Sequence, residues 1–377
     1  MDYDVIIAGG SFAGLAAAVQ LRGKHTLLVE PHAIGAVQTS ACGTLLAVLE
    51  PTGTMDSLLQ MHDRLVLHLH HGTFEYSLPY SFCTFDYRTL CNRLLAQGNA
   101  EILHGSVLGH RGHAVFTSRG IFDAEILIDA TGWRATLATN SRQRAEHHHG
   151  KSFGIETTIP VSEDGLHFYY DPDRLRRNNV GWLFPIGVRS RLGLGSYLGH
   201  TQLNETLSDF AHADFGCSLD GLHGGFFPYH CQLATTDHVF RVGDAAGQCI
   251  PLTGEGVRPA LYFGATVGRL TRRVLDGELR EPDALREYQR FVKRHAELYR
   301  DLLLVQKGLP SLPMRWIERI ASHIQRPGVL GPLLNWYWNV LDPHALTLLW
   351  PGDSTSIKLS SKLHVQSDLA YPERRVL

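Results

Sequence analysis

The chain has 377 residues, 44% of them apolar and 19% charged, enough to bury a sizeable core and to divide into two lobes. Its formal net charge of -2 gives no field that would gather nucleic acid or an acidic membrane surface. Six cysteines (Cys42, Cys83, Cys91, Cys217, Cys231, Cys249) lack CxxC pairing or zinc-like spacing, and no apolar run approaches the roughly 18 residues of a bilayer span, which excludes a disulfide scaffold, a thiolate zinc site and a transmembrane helix. A reducing cytoplasm is the expected setting, and peripheral contact with a membrane is compatible with it.

Residues 4–8 (DVIIA) are a short apolar run, 15–21 are Ala/Leu-rich helix material, and 26–30 (TLLVE) read as a second buried strand. Strand, glycine turn, helix and strand in this order make a βαβ unit, which starts a parallel sheet with helices on its faces. Between 63 and 78 the pattern changes to apolar and polar residues in alternation, as in antiparallel strands with one solvated face. His68, His70 and His71 fall on that solvated face.

Residues 86–97 read as a helix, and 124–129 (AEILID) return to the buried-strand type. From 151 to 229 strand-like runs dominate (SFGIETTIP, LHFYY, WLFPI, LGLGSYLG) and predict a second, mostly antiparallel sheet. Residues 237–242 are one more strand, and a long helix starts near Glu255. Beyond Gly277 the chain is helical, with 285–306 the longest candidate and shorter pieces separated by Pro310, Pro313, Pro327 and Pro332. The last twenty or so residues are polar and loosely held.

Gly9-Gly10-Ser11-Phe12-Ala13-Gly14 lies between the first strand and the first helix, where a dinucleotide pyrophosphate rests on free helix N–H groups and the positive end of the helix dipole. Gly9 makes the tight turn and Gly14 lets helix and strand approach; Ser11 stands where the usual GxGxxG has its middle glycine. Glu30 ends the second strand, the position at which an acid accepts hydrogen bonds from a ribose hydroxyl. Later, Val242-Gly243-Asp244-Ala245-Ala246-Gly247 follows a strand and places Asp244 to hold a ribityl chain. Pro251-Leu252-Thr253-Gly254-Glu255-Gly256 then opens a helix whose N-terminus can face a flavin ring. Together these point to FAD.

The expected fold class is α/β. A Rossmann-type FAD-binding domain, discontinuous over 1–72, 100–150 and 230–280, is interrupted by a mostly antiparallel β substrate domain of 73–99 and 151–229, and a helical C-terminal region covers 281–377.

GGSFAG with Glu30, the Cys42-Gly43 pair, Arg88 in FDYRTL, GDAAG followed by PLTGEG, and Gly181-Trp182-Leu183-Phe184-Pro185 together resemble the geranylgeranyl reductase family of the p-hydroxybenzoate-hydroxylase-like flavoproteins. The resemblance covers about residues 3 to 275. It implies FAD held at or near Gly9, Ser11, Phe12, Ala13, Gly14, Glu30, Arg88, Asp244, Gly254, Glu255 and Gly256, and reduction of isoprenoid carbon-carbon double bonds. It further implies a substrate cavity near the flavin lined by Trp182, Phe184 and Pro185, with Val180 in place of the family's tyrosine. Phe168 and Tyr170 extend that apolar wall.

Cys42 lies in the loop that in this family approaches the isoalloxazine, and Cys42 is the candidate catalytic residue; Cys249 follows the GD motif, so the two thiols either meet near the flavin or pack as inert core residues. Thr131 in Asp129-Ala130-Thr131-Gly132 replaces the acid of the hydroxylase branch. No second GxGxxG is present, so the external electron donor stays open between NAD(P)H and a ferredoxin-type redox partner protein.

Two other readings stand beside the alkene reductase: a flavin monooxygenase or halogenase of the same superfamily, and a non-redox flavoprotein such as a carotene-cyclase-like enzyme or redox-sensing binding protein. The run His147-His148-His149 reads as a polar loop rather than a metal site, because adjacent side chains diverge and no partner has ligand spacing. Trp316, Trp336, Tyr337, Trp338 and Trp350 either pack the helical region onto the FAD domain or form an interfacial surface.

Overall fold

The computed structural model describes residues 1–137, 150–229, 234–339 and 341–351. Its strands are β1 (Tyr3–Ala8), β2 (Thr26–Glu30), β3 (Gly43–Leu45), β4 (Leu58–Leu69), β5 (Gly72–Phe85), β6 (Glu101–His104), β7 (Val107–Arg111) and β8 (Ala114–Thr117). They continue as β9 (Gly120–Asp129), β10 (Lys151–Ile159), β11 (Leu166–Tyr170), β12 (Asn179–Pro185), β13 (Ser190–Ser196), β14 (His223–Pro228), β15 (Thr235–Thr236) and β16 (Val239–Arg241). The helices are α1 (Phe12–Gln20), α2 (Leu46–Leu49), α3 (Tyr87–Gln97), α4 (Asn204–Phe215) and α5 (Val257–Leu275), then α6 (Glu281–Lys293), α7 (Ala296–Gly308), α8 (Met314–Ile324), α9 (Leu330–Asn339) and α10 (Pro343–Leu349).

One sheet runs β15-β16-β9-β1-β2-β6, with β8 and β7 extending antiparallel from β9. At its centre β1 pairs in parallel with both β2 and β9. Val5, Ile6, Ile7 and Ala8 are all fully buried, the pattern of a strand covered on both faces. β16 joins β9 in parallel, so the sheet is completed only after the whole second sheet has been threaded out and back.

Helices α1 and α5 cover this sheet at close range. A Cβ on Gly264 would stand 2.4 Å from Ala13 O, and one on Gly268 would stand 2.6 Å from Ala17 O. These two glycines allow backbone-to-backbone packing that no side chain would permit.

The second sheet has the order β14-β10-β13-β12-β11-β4-β5-β3 and is antiparallel except between β11 and β4. Strands β3 and β4, which fall within the 1–72 stretch expected to serve the nucleotide domain, belong to this sheet. The physical reason is periodicity: β4 alternates in burial, which suits a long hairpin with β5 and not a sheet buried on both faces.

The single helix expected over 285–306 is instead two, α6 and α7. His295 interrupts it: its Nδ1 donates to Phe291 O at 3.0 Å, and its ring packs edge-on against Tyr262, Phe263 and Phe291. His68 is likewise not on a solvated face. It stacks on Tyr169 with centroids 4.3 Å apart and shares a 2.9 Å hydrogen bond with His167; burial pushes its pKa down to about 4, so the ring is neutral at physiological pH.

Tyr337, Trp338 and Trp350 are buried, whereas Trp316 and Trp336 are close to half exposed. Among the described residues no helix is long and apolar enough to cross a membrane.

Candidate cofactor and substrate site

The turn from β1 into α1 is built by steric necessity. Gly9 has φ +105, and a Cβ there would lie 2.2 Å from Ala130 O; a Cβ on Gly14 would lie 2.0 Å from Gly9 O. Only glycine fits either position. Glu30 accepts a hydrogen bond from Gly10 N at 2.9 Å and one from His32 N at 3.3 Å, so its carboxylate braces the turn from the end of β2.

Ser11 occupies the N-cap position of α1 without capping it. Its hydroxyl instead pairs with Tyr87 OH at 2.9 Å, leaving the first N–H groups of α1 without a side-chain acceptor. Phe12 and Ala13 are buried, Phe12 edge-on against Phe85 and Tyr87, so their side chains pack the core and only their backbone can serve a ligand. Arg88 is exposed on α3 beside the 31–42 loop, where a Cβ on Gly35 would lie 2.8 Å from its Cα.

Asp244 sits in a short 3-10 turn, Gly243–Ala246, that packs against the start of α5. No side-chain hydrogen bond reaches its carboxylate among the described residues, and desolvation pushes its pKa up to about 7. A half-buried acid left without donors, beside a glycine turn and two helix N-termini without side-chain caps, is the arrangement that a ligand's hydroxyl and phosphate groups would complete.

Gly254 has φ +64, and a Cβ there would lie 3.6 Å from the Phe227 ring; Gly256 is the N-cap of α5. Glu255 departs from the expectation of a cofactor-contacting side chain. Both its oxygens take Arg258 at 2.7 Å, and Tyr337 OH donates to Oε2 at 2.6 Å. Burial alone would raise its pKa, but the Arg258 charge and these hydrogen bonds hold it below the usual carboxylate value. Arg258 in turn donates to Trp338 O and Leu341 O, so α5 is latched to the C-terminal helices.

The residues expected on the substrate side pack against β3, β5 and β13. The Phe184 ring covers Gly43, where a Cβ would lie 3.2 Å from it, and it meets Phe168 edge-on at 5.4 Å. Pro185 O accepts from Thr84 Oγ1 at 2.7 Å. Trp182 lies flat over β13: a Cβ on Gly193 would fall 2.1 Å from the indole, so that glycine makes the space for it.

Trp182 Nε1 donates to Glu156 Oε2 at 2.8 Å. Glu156, 3% exposed, also takes Gln38 Nε2 at 3.2 Å and has His223 Nε2 at 3.3 Å and Arg191 Nε at 3.9 Å. This buried hub ties the 31–42 loop to β10, β12, β13 and β14, and sequence reading missed it.

Cys42 is fully buried with φ +56, and its thiol donates to Ser40 O at 3.2 Å. Burial raises its pKa far beyond neutrality, so it is a neutral thiol and not a thiolate. Cys249 is also buried and protonated, with Asp244 and Glu255 as its charged neighbours, whereas those of Cys42 are Arg191 and Glu156. Every described cysteine is a free thiol.

His70, Asp171 and Asp173 bring ligand-type atoms within 4.8 Å of one another. Asp171 Oδ1 is already occupied by Asp173 N at 3.0 Å and Arg174 N at 3.4 Å, as in a turn cap. The run His147-His148-His149 and Cys231 lie outside the described residues.

No protein-family model matches the chain. It is 22% identical over 370 residues to a digeranylgeranylglycerophospholipid reductase of Methanopyrus kandleri, covering 88% of this chain and 92% of that one. The chain spans about half the length of other curated reductases it matches, 44% in the case of the Methanococcus aeolicus protein, at 24% identity over 44% of this chain. Among solved structures, a geranylgeranyl bacteriochlorophyll reductase-like protein of Thermoplasma acidophilum superposes with a TM-score of 0.75 at 17% identity, covering 92% of this chain and 99% of the other. The flavin-dependent brominase Bmp2 gives 0.65 at 14% identity, covering 93% and 94%.

Proposed function

Starting from membership of the geranylgeranyl reductase family of FAD-dependent oxidoreductases, we propose that this protein reduces carbon-carbon double bonds of a hydrophobic isoprenoid or lipid substrate. The observation that carries the reading is the convergence of Phe184 on Gly43, which sets the GWLFP strand against the Cys42-Gly43 loop.

In this reading the backbone of Gly9 to Gly14 and the N-terminus of α1 receive the FAD pyrophosphate, Glu30 the ribose and Asp244 the ribityl hydroxyls. Gly254 and Gly256 leave the start of α5 open to the flavin ring. Once reduced, bound FAD supplies the hydride.

The chain's own task is to position a substrate that has no polar handle at its reacting bond and to keep water away. Trp182, Phe184 and Phe168 serve as the apolar wall for that purpose. The second hydrogen arrives as a proton, and His223, whose side chain is 33% exposed and whose Nε2 lies 3.3 Å from Glu156, connects solvent to this wall. Cys42 enters as a turn and packing residue rather than a nucleophile, because burial holds its thiol protonated.

The test is anaerobic. The purified protein is reduced with dithionite, a geranylgeranyl lipid or diphosphate is added, and the oxidised flavin band is followed. Its return together with a saturated product is the expected result. No return without O2, with an oxygenated or halogenated product once O2 is admitted, would instead assign the protein to the monooxygenase or halogenase branch.

Asp244 gives a second expectation. A ribityl hydroxyl donates to the ionised carboxylate, so FAD favours the charged form, and affinity rises with pH up to the apoprotein pKa of about 7 and is flat above it. Below that point the slope approaches about tenfold per pH unit. Titrating apoprotein with FAD across this range checks it, and Asp244→Asn should remove the slope; a pH-independent wild-type affinity would sink the assignment.

A further inference from the structure

The turn after β9 and the edge of the second sheet enclose a cavity of about 320 Å³ lined by Trp133, Lys151, Leu198, Gly199 and Phe226. Trp133 belongs to a short 3-10 turn, Gly132–Arg134, that follows Ala130, the residue whose carbonyl touches Gly9. On the other side, Phe226 precedes Phe227, whose ring lies against Gly254. The cavity therefore borders the turns assigned to FAD without being part of them.

Lys151 is the unusual member. It is 7% exposed, and among the described residues no carboxylate and no hydrogen-bond acceptor reaches its ammonium. Its ammonium lies over the Trp133 ring, 4.7 Å from Nζ, a ring that Arg134 also approaches at 4.5 Å. Burial lowers its pKa. The part-covered ammonium has no anionic partner among the described residues, and it opens onto a cavity with room for an anion.

The walls narrow the ligand further. Trp133 and Phe226 stand 5.1 Å apart, and Phe226 meets Phe153 at 4.9 Å, so apolar or flat matter has a surface to lie on next to the charge. Gly199, at φ +73, closes the cavity floor at a place where a Cβ would strike Lys151 O at 2.6 Å. A compact ammonium backed by aromatic faces suits phosphate with an attached apolar or planar group.

We propose that Lys151 binds a phosphate group of the enzyme's second ligand, the source being either the phosphorylated head of a prenyl substrate or the phosphates of a nicotinamide electron donor. The choice of ligands rests on the oxidoreductase reading above, but the test reads binding, so a protein that binds and fails to reduce alkenes separates the two.

FAD-loaded protein is titrated calorimetrically with geranylgeranyl diphosphate, with its phosphate-free alcohol and with NADPH. Lys151→Gln should weaken one of the two phosphate-bearing ligands by about tenfold or more, while Lys151→Arg retains most of the affinity and the alcohol is unaffected. Loss for the diphosphate alone places the substrate head at Lys151; loss for NADPH alone places the donor there.

Unchanged binding of both phosphate ligands, an equal loss for the alcohol, or no binding of either phosphate ligand to the wild type overturns the proposal. Should Lys151→Gln not fold, inorganic pyrophosphate must compete with the phosphate-bearing ligand on wild-type protein, and absence of competition overturns it equally.

Discussion

Replacing Glu255 with leucine should lower the unfolding free energy of the apoprotein by about 3–5 kcal/mol, among the largest effects of any single substitution in the chain. Arg258 is 1% exposed and is anchored by both oxygens of Glu255. Without that carboxylate its charge stays buried against the carbonyls of Trp338 and Leu341, and Tyr337 OH loses its acceptor. The expected signature is non-additive. Glu255→Leu with Arg258→Leu should recover much of the loss, since removing both charges leaves nothing uncompensated. Urea unfolding of Glu255→Leu, Arg258→Leu, the double variant and the wild type measures it; a double variant as unstable as the sum of its singles would show that the pair is not the source.

The largest functional effect should come from Gly14→Val. A Cβ at Gly14 falls 2.0 Å from the backbone oxygen of Gly9, and the backbone alone fixes where that Cβ stands, so no rotamer change relieves the clash. Either the β1–α1 junction moves or the turn opens, and in both cases the N–H groups assigned to the pyrophosphate lose their common direction. The protein should be isolated colourless, with FAD affinity down by about 100-fold or more, equivalent to about 3 kcal/mol. Gly308→Ala is the matched control, because a Cβ there meets nothing and the protein should stay yellow. Flavin content per chain after desalting decides the matter, and a fully yellow Gly14→Val protein would remove this turn from the cofactor site.

Local patterns carried the parts of this architecture that local physics determines. Gly9 and Gly14 were readable because a strand, a tight turn and a helix in sequence allow only glycine at the crossing points. The run Val5 to Ala8 was readable as a doubly covered strand because it is apolar without alternation. Gly43 and Phe184 could be named but not joined from sequence, since their contact crosses from β3 to β12.

What escaped reading depends on pairings between distant residues. Glu156 gathers Gln38, Trp182, Arg191 and His223 from four separate segments, and nothing in the neighbourhood of any one of them announces the others. Glu255 stands between two glycines expected at the cofactor, and its own neighbourhood gives no sign of its partner Tyr337, 82 residues away. Within the 1–72 stretch expected to serve the nucleotide domain, β3 and β4 join the second sheet, because hairpin periodicity gives the strand type without its neighbours, and the parallel pairing of β4 with β11 depends on Leu166 to Tyr170, far along the chain. His295 fits a helix by propensity, and only the ring cluster around it breaks one.

The latch between Glu255, Arg258 and the C-terminal helices also sets an order of events during synthesis. The turn that opens α5 reaches its final hydrogen bonding only when Tyr337, Trp338 and Leu341 exist, the last of them 83 residues after Arg258. At about 5–20 residues per second, translation of that interval takes several seconds, during which the nascent chain has its first glycine turn but an unsecured second one. The second turn is therefore secured late in synthesis, and a chain released before its C-terminal helices would leave the ribosome with Arg258 lacking the carbonyls of Trp338 and Leu341.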